Sequence, residues 1–311
     1  NGAAKIATTS TGIDVTGTAV TDGLTVAGNV SVDGGTIKLD GNYPVGTGNV
    51  ALGDTALDSA GSGVIQSVAI GANALTSYTT GANNTAVGYN ALTAATSGGN
   101  VAVGDRTLAA NTSGTNNVAV GSATLLNSVS GTYNVGVGTA SLLSNTGNYN
   151  TALGGLALQN NTTASDSTAV GYQALYSNTT GSVNTAVGFK AGYANTTGIV
   201  IDAFGYQTLD ANTTGERNAA FGAVALSSNT TGSYNIAVGN NALASNTTAS
   251  YNTAVGYQSL YANTTGYSNT AVGYQSLDSN TTGAGNSTFG HGAGAGNTTG
   301  TNINIFGINA G

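Results

Sequence analysis

Residues 252–268 read N-T-A-V-G-Y-Q-S-L-Y-A-N-T-T-G-Y-S, and this is the clearest copy of a unit that repeats along most of the chain. Its fifth residue, the motif glycine, recurs sixteen times at spacings of 16 to 18 residues. Such a period is the signature of a solenoid, in which each repeat forms one coil and stacks on the next. The motif glycines are Gly53, Gly71, Gly88, Gly104, Gly121, Gly138, Gly154, Gly171, Gly188, Gly205, Gly222, Gly239, Gly256, Gly273, Gly290 and Gly307.

Two apolar columns emerge when positions are counted from the motif glycine. Position −1 is apolar in every copy and position +4 is Leu in thirteen of the sixteen, so both columns are predicted to form the core. Position −2 is Ala in thirteen copies and should face the other way, because side chains alternate along a strand. The expected core positions include Val87, Val187, Phe204, Val255 and Val272 at −1, and Leu92, Leu175, Leu209, Leu260 and Leu277 at +4.

The remaining residues of each repeat predict turns rather than helices. Val, Ile, Thr and Phe before the motif glycine favour a short strand, whereas Asn-Thr-Thr-Gly is typical of a turn. Each copy is therefore predicted to be a coil of two short strands joined by two turns. The fold class expected is an all-β parallel β-solenoid, or β-roll, of about sixteen 17-residue coils, roughly 75 Å long at ~4.8 Å per strand layer.

The predicted core is too thin for a self-sufficient coil. Each coil supplies only two or three sizeable apolar side chains, against an ordering cost of about 1–2 kcal/mol per residue. More apolar surface should therefore be buried against a partner. The Ala column at −2 is the predicted contact stripe, and a homotrimer is the predicted assembly.

Asparagine repeats in two columns. Asn-Thr-Thr occurs nine times, and its Asn is expected to cap the turn backbone in a ladder, although each copy is formally also a glycosylation sequon. Asn at position −4, as in Asn84, Asn184 and Asn269, predicts an internal amide ladder. The turn ladder includes Asn178, Asn195, Asn212, Asn229, Asn246, Asn263 and Asn280.

Thr and Tyr columns leave further interpretations open. A regular Thr array on a flat face could bind ice, although Thr179 and Thr180 are adjacent and both lie near a turn. Tyr at +1, as in Tyr172, and at +12, as in Tyr234, could stack on sugar rings of a host surface. The preferred interpretation is that these rings stack on one another along the rod.

Composition excludes several function classes. The chain has five basic residues, a net charge of −7 and no Cys, so a nucleic-acid footprint, a disulfide framework and a thiolate metal site are not expected. No apolar run approaches the ~18 residues of a spanning helix, so membrane insertion is not expected. His291 is the only histidine, and no motif supports a catalytic, cofactor or metal site. We therefore expect no enzyme activity. Asp202 replaces Val, Thr or Ile in its column. A three-fold cation site is considered there, but the preferred interpretation is that Asp202 lies at a coil edge in water.

The first 48 residues form a different segment. They alternate apolar and polar residues in short units such as G-L-T-V-A-G at 23–28, which predicts a fibrous segment of short strands over 1–48 followed by the solenoid over 49–311. Pro44, the only proline, lies at the predicted junction 42–50. An Asn at residue 1 and an abrupt end at Gly311 predict a piece or processed product of a longer chain.

The repeats resemble two groups of fibrous proteins. The units N-V-A-V-G at 100–104 and S-V-A-I-G at 67–71 resemble the head repeats of trimeric autotransporter adhesins, which form a left-handed parallel β-roll stable only as a trimer. The longer N-T-A-V-G-Y-Q-S-L-Y-A-N-T-T-G unit and the N-terminal G-L-T-V-A-G-N-V-S-V-D-G-G are similar to bacteriophage tail-fibre sequences. The period departs from the adhesin heads, 17 here against about 14 there, so turn lengths should not be transferred.

The resemblance implies a structural and adhesive role. The expected protein is the shaft of a trimeric phage tail fibre, extracellular on the virion and involved in host attachment, with a host glycan or other receptor as a possible partner. The alternative is a bacterial cell-surface adhesin or extracellular filament. An ice-binding solenoid is the alternative from another class.

Overall fold

The computed structural model describes residues 6–9, 12–15 and 47–311, and all regular secondary structure in those ranges is β-strand. The chain divides into two compact units, Asn1–Asp40 and Gly41–Gly311. In the first, β1 (Ile6–Thr9) pairs antiparallel with β2 (Gly12–Val15), with Ile6 opposite Val15. Residues 1–5, 10–11 and 16–46 of the predicted N-terminal segment, including Pro44 at the predicted junction, lie outside the described residues.

The second unit is a parallel β-solenoid built on one sixteen-stranded sheet. Each coil contributes one three-residue strand, and equivalent positions pair directly, as in Thr253 with Thr270, Ala254 with Ala271 and Val255 with Val272. The strands are β3 (Val50–Leu52), β5 (Val68–Ile70), β7 (Thr85–Val87), β8 (Val101–Val103), β9 (Val118–Val120), β10 (Val135–Val137), β11 (Thr151–Leu153), β12 (Thr168–Val170), β13 (Thr185–Val187), β14 (Asp202–Phe204), β15 (Ala219–Phe221), β16 (Ile236–Val238), β17 (Thr253–Val255), β18 (Thr270–Val272), β19 (Ser287–Phe289) and β20 (Asn304–Phe306).

The prediction of two strands per coil is wrong for most of the solenoid. Among the described coils, a second strand occurs only where β4 (Gly63–Ile65) pairs in parallel with β6 (Thr80–Ala82). Elsewhere the chain after the motif glycine alternates between residues of negative φ and left-handed residues of positive φ. In the consensus copy the left-handed residues are Gln258, Leu260 and Ser268, with φ of 52°, 53° and 55°.

This alternation satisfies the backbone without a second sheet. The Gln258 and Leu260 amides donate to Asn240 and Ser276 in the neighbouring coils, both at 3.0 Å, whereas the Ser259 amide turns back to Gly256 at 3.3 Å. A left-handed non-glycine residue costs about 1–2 kcal/mol. The cost explains why glycine, which adopts this conformation freely, is the residue that replaces Leu at +4 in Gly192, Gly294 and Gly311.

The motif glycine is fixed by conformation and by space. Its φ lies between 123° and 141° in all sixteen copies, a region that side chains avoid. A Cβ on Gly121 would also lie 2.9 Å from the carbonyl carbon of Gly138 in the next coil. Successive motif glycines therefore stack backbone against backbone, and this contact sets the sharp corner that ends each strand.

The strand faces are the opposite of those predicted, because position −2 points into the coil and position −1 points outward. Ala254 at −2 and Leu260 at +4 are fully buried, and they pack in one continuous core with their equivalents in the neighbouring coils. Val255 at −1, predicted to be core, lies on the outer side and is only partly buried. The coil is narrow, so beside the Leu column the strand has room for little more than a methyl group.

Candidate assembly face

Residues at −3 and −1 of the sixteen strands lie on the outer side of the sheet and form one surface, the sheet face. The in-register pairing places like residues next to one another along it, as in Thr168 beside Thr185 and Val170 beside Val187. Position −1 is apolar in all sixteen copies, and position −3 is Val or Ile in six and Thr in six. The sheet face is therefore a continuous, mainly apolar stripe.

In the single chain this stripe is open to solvent. Val137, Phe221 and Ile236 expose 38%, 41% and 45% of their surface. Parallel sheets are normally covered on both faces, and contiguous apolar patches of more than a few hundred Å² on a single chain mark interaction sites. The sheet face is the candidate functional site because it is the long apolar surface that the coil itself does not cover.

The predicted site residues fall on both sides of this sheet. Leu92, Leu175, Leu209, Leu260 and Leu277 are fully buried inside the coil. By contrast, Val87, Val187, Phe204, Val255 and Val272, predicted to be core, all lie on the sheet face and are partly buried. The Ala column, predicted to be the contact stripe, is enclosed in the coil and cannot touch a partner.

Sequence reasoning missed the −3 column as part of the candidate site. The sequence did contain a signal for which columns face outward, namely the range of side-chain sizes found in each column. Position −1 accepts residues from Val to Phe, whereas position −2 is almost uniformly Ala. A narrow interior cannot accommodate such a range of volumes, so the column of varying size has to be the outer one, and −3 lies on its side of the strand.

Asp202 lies on the sheet face at position −3, next to Thr185 and Ala219 in the neighbouring strands. It is partly buried and is the only charged residue in the two outer columns of this sheet. The described residues contain no group of three or more His, Cys, Asp or Glu that could hold a metal ion. The three-fold cation site therefore stays a prediction that depends on assembly.

The turn-ladder asparagines are fully buried and joined to one another. The side-chain amide of Asn195 donates to the side-chain oxygen of Asn178 at 2.9 Å and to the carbonyl of Gly198 at 3.0 Å. The same pair of bonds occurs at each later step as far as Asn280. Because these amides lie inside the coil, the sequons they form are inaccessible in the folded chain.

The second asparagine column, at −4, makes a ladder of a different kind. The Asn252 side-chain oxygen accepts the backbone amide of Asn269 at 3.0 Å, and its amide group donates to the carbonyl of Gly266 at 2.9 Å. Each buried amide thus bonds to the next coil. The two ladders supply the polar cohesion that holds a thin apolar core in register.

The two Thr columns of the Asn-Thr-Thr turn differ in what their hydroxyls do. The Thr196 hydroxyl donates to the backbone carbonyl of Thr213 at 3.0 Å, and the Thr213 hydroxyl donates to Thr230 in the same way. The following residues, such as Thr197 and Thr214, are exposed. Only the second column therefore presents hydroxyl groups to water.

Aromatic side chains outside the coil stack along the solenoid. At +12, Tyr234 and Tyr251 have ring centroids 5.0 Å apart, and at +1, Tyr274 lies 4.9 Å from the ring of His291. His291 thus takes the place of a tyrosine in a stack.

No family model, curated protein or solved structure matches this chain. The part of the chain that the structure describes contains no helix long and apolar enough to cross a membrane.

Proposed function

We propose that this chain is the shaft of a homotrimeric, non-enzymatic fibre in which three copies cover one another's sheet faces. The observation that carries the proposal is the apolar sheet face, which runs along all sixteen strands and contains a single charge. Covering it contributes about 25 cal/mol for each Å² of apolar surface removed from water. That contribution compensates for a thin apolar interior, which in most coils consists mainly of Ala and one Leu.

A trimer also suits the regularity of the stripe. Identical in-register columns allow identical chains to pack side by side around a common axis, with every coil making the same contact. The resulting rod would be rigid, because each coil is joined to the next by strand pairing and by two amide ladders. Mechanical spacing of a receptor-binding end from a surface follows from these properties.

The biological setting we propose is a phage tail fibre that contributes to host attachment, outside the cell and on the virion. The support is the similarity of the long repeat and of the N-terminal units to tail-fibre sequences. A bacterial cell-surface adhesin or extracellular filament is the alternative, since the shorter units resemble adhesin heads. Flanking genes for capsid and tail proteins would favour the first setting, whereas genes for an outer-membrane anchor or secretion would favour the second.

The assembly proposal is tested by sedimentation equilibrium of the full chain. Three copies of 30.1 kDa give a mass of about 90 kDa, and a monodisperse species of 30.1 kDa would contradict the proposal. The variant Val255→Asp places a charge on the sheet face and should reduce the mass to that of one chain. Ser268→Asp is the matched control, because it adds the same charge at an exposed left-handed position away from the sheet face.

Ice binding is the second candidate function, and the exposed Thr column is the observation that favours it. Thr180, Thr197, Thr214 and their equivalents repeat once per coil and face water. A single column lacks the second dimension of an ice lattice, because the hydroxyls of the adjacent column bond to the backbone. We therefore expect no thermal hysteresis, and hysteresis that Thr197→Val and Thr214→Val weaken together would favour this function instead.

A further inference from the structure

Aromatic residues form a cluster on three consecutive coils, away from the sheet face. Tyr172, Phe189 and Tyr206 occupy position +1, with centroid separations of 5.9 Å and 5.4 Å. Tyr176 and Tyr193 occupy position +5 and lie 5.2 Å apart. The three rings at +1 remain 40–53% exposed. Stacking along the rod thus leaves a broad aromatic surface in contact with water.

Lys190 lies between the two aromatic columns. Its Nζ is 5.6 Å from the ring centroid of Phe189 and 5.1 Å from that of Tyr193. A cation at these distances is attracted by both rings. The cluster therefore combines ring surface with one positioned hydrogen-bond donor.

The aromatic cluster stops at Tyr206, and the next residue, Gln207, lines a groove between this coil and the following one. The next coil has Ala223 at +1 and Ser227 at +5, so Tyr206 has an aromatic stacking partner, Phe189, on one side only. A groove of about 470 Å³ lies between these two coils. Its lining residues are Gln207, Asp210, Ala211, Val224, Ser227 and Ser228.

The groove offers the groups that recognise a sugar. A pyranose has an apolar C–H face that can stack on an aromatic ring, and a rim of hydroxyls that donate and accept hydrogen bonds. The Asp210 carboxylate accepts strong hydrogen bonds from hydroxyls, the Gln207 amide donates and accepts, and both serines do the same. Asp210 is partly buried, so water is partly excluded from its carboxyl group, and this burial raises its pKa.

Other ligand classes fit the groove less well. A nucleic acid would stack on the rings, but a carboxylate in the groove and a net charge of −7 oppose a phosphate backbone. A peptide anchored by apolar side chains would need a deeper apolar pocket than Ala211 and Val224 provide. A neutral saccharide uses both the ring surface and the polar groups.

The same combination of residues occurs a second time on the same columns. Tyr274, Gln275 and Asp278 repeat the arrangement of Tyr206, Gln207 and Asp210 four coils further along, about 19 Å away at ~4.8 Å per coil. Tyr274 stacks on Tyr257 at 5.2 Å, and the Gln275 amide donates to the Gln258 side chain at 2.9 Å. Unlike Tyr206, Tyr274 has a stacked ring on both sides, because His291 lies 4.9 Å away in the next coil. Two groups with the same residue types along one line suit a ligand that is itself a polymer.

We propose that the groove lined by Gln207 and Asp210, next to Tyr206, binds a neutral polysaccharide chain that lies along the solenoid and also contacts Tyr274, Gln275 and Asp278. The proposal names the receptor chemistry of the attachment role and rests on that part of the proposed function. It does not require the trimer, since every residue named lies away from the sheet face.

The test is binding of the full chain to immobilised oligosaccharides, including neutral hexose, N-acetylhexosamine and uronic acid series. The dissociation constant for the best-bound series is then measured for variants. Tyr206→Ala and Asp210→Asn should each weaken binding at least tenfold. Tyr89→Ala should not, because Tyr89 is an equally exposed +1 tyrosine whose coil has Thr93 instead of a carboxylate at +5. Tyr274→Ala should weaken binding of long oligosaccharides and leave short ones unchanged.

The outcomes of this test are distinguishable from those of the trimer test. Lack of binding to every series, or equal binding by wild type and Tyr206→Ala, would overturn it. A preference for the uronic acid series would replace the neutral chain with an acidic one held by Lys190. Sedimentation of the same samples reports the trimer independently, so a trimer that binds no saccharide contradicts only this inference, and a monomer contradicts the assembly.

Discussion

The side chain of Ile201 occupies the space that Gly192 leaves open in the coil core. A Cβ built on Gly192 would lie 3.5 Å from Cδ1 of Ile201 and 3.0 Å from Cδ2 of Leu175. Ile201 is fully buried at position −4, where most coils have Asn, and Gly192 stands at +4, where most have Leu. In this coil the branched apolar side chain therefore comes from position −4 instead of position +4.

This exchange predicts strong coupling between the two positions. Gly192→Leu overfills the core, and Ile201→Asn opens a cavity, so each should lower the free energy of unfolding by roughly 1–3 kcal/mol. The double variant restores the consensus pair and should be closer to wild type than the sum of the two losses. The measurement is a double-mutant cycle from guanidinium unfolding, and additive losses would contradict the exchange.

Substitution of Asn195 measures how much one step of the turn ladder contributes to the free energy of unfolding. Asn195→Ala removes the donor to Asn178 and the acceptor for Asn212, and it leaves buried polar groups with fewer partners. The free energy of unfolding should fall by roughly 1–3 kcal/mol. Thr197→Ala, two residues away and exposed, is the control and should stay within about 0.5 kcal/mol of wild type. Equal effects of the two substitutions would show that the ladder adds no stability.

Ser128 marks a gap in this ladder that can be filled. It occupies the position of the ladder Asn between Asn111 and Asn145, and its buried hydroxyl has no hydrogen-bond partner. Ser128→Asn should bond to the neighbouring amides and raise the free energy of unfolding by about 1 kcal/mol. Ser130→Asn, at an exposed position of the same turn, should change little. Melting curves of the two variants would reveal the difference, and a destabilised Ser128→Asn would mean that this coil is too narrow for the amide.

The adjacent glycines Gly154 and Gly155 differ in how strictly glycine is required. Gly154 is required by the backbone, whereas Gly155 is a surface position. A Cβ on Gly154, with φ of 141°, would lie 2.5 Å from the carbonyl oxygen of Gly171, whereas one on Gly155 would meet only the ring of Tyr172 at 3.6 Å. Gly154→Ala should lower the free energy of unfolding by at least ~3 kcal/mol, because strain and overlap add. Gly155→Ala should remain within about 0.5 kcal/mol. Similar guanidinium midpoints for the two would contradict the stacked-glycine corner.

The sequence predicted the period, the Leu column and the solenoid architecture because each rests on repetition, which is visible without coordinates. It predicted the wrong face of the strand because hydrophobicity alone assigned Val255 to the core. The size constraint on Ala254, set by the narrow coil, was the stronger signal. The second strand was wrong for a different reason. Gln258 and Leu260 adopt left-handed conformations that residue propensity does not favour and that only contacts between coils stabilise.

The groove at Asp210 was harder to predict, because it depends on which coil follows which. Gln207, Asp210 and Ala211 belong to one coil, and Val224, Ser227 and Ser228 of the next coil complete the lining of the groove. A consensus hides such combinations. They become visible once the register between coils is known.

Asp210 also predicts a conflict between stability and binding. Burial raises its pKa above the ordinary value of 3.8, and backbone hydrogen bonds and the charge of Lys190 oppose this rise more weakly. The folded state therefore disfavours the charged carboxylate. This cost is present when the pH is above the folded pKa and disappears below the unfolded one. Asp210→Asn should therefore raise the melting temperature at pH 7 and leave it unchanged near pH 3, while weakening saccharide binding.

The control is Asp166→Asn, which makes the same chemical change at an exposed position on another column. Melting temperatures of both variants and wild type are compared at the two pH values by scanning calorimetry. A carboxylate that lowers stability and strengthens binding is the behaviour of a functional group held in place by its neighbours. A lower melting temperature of Asp210→Asn at pH 7 would instead indicate that the charge stabilises the coil, for example by pairing with Lys190.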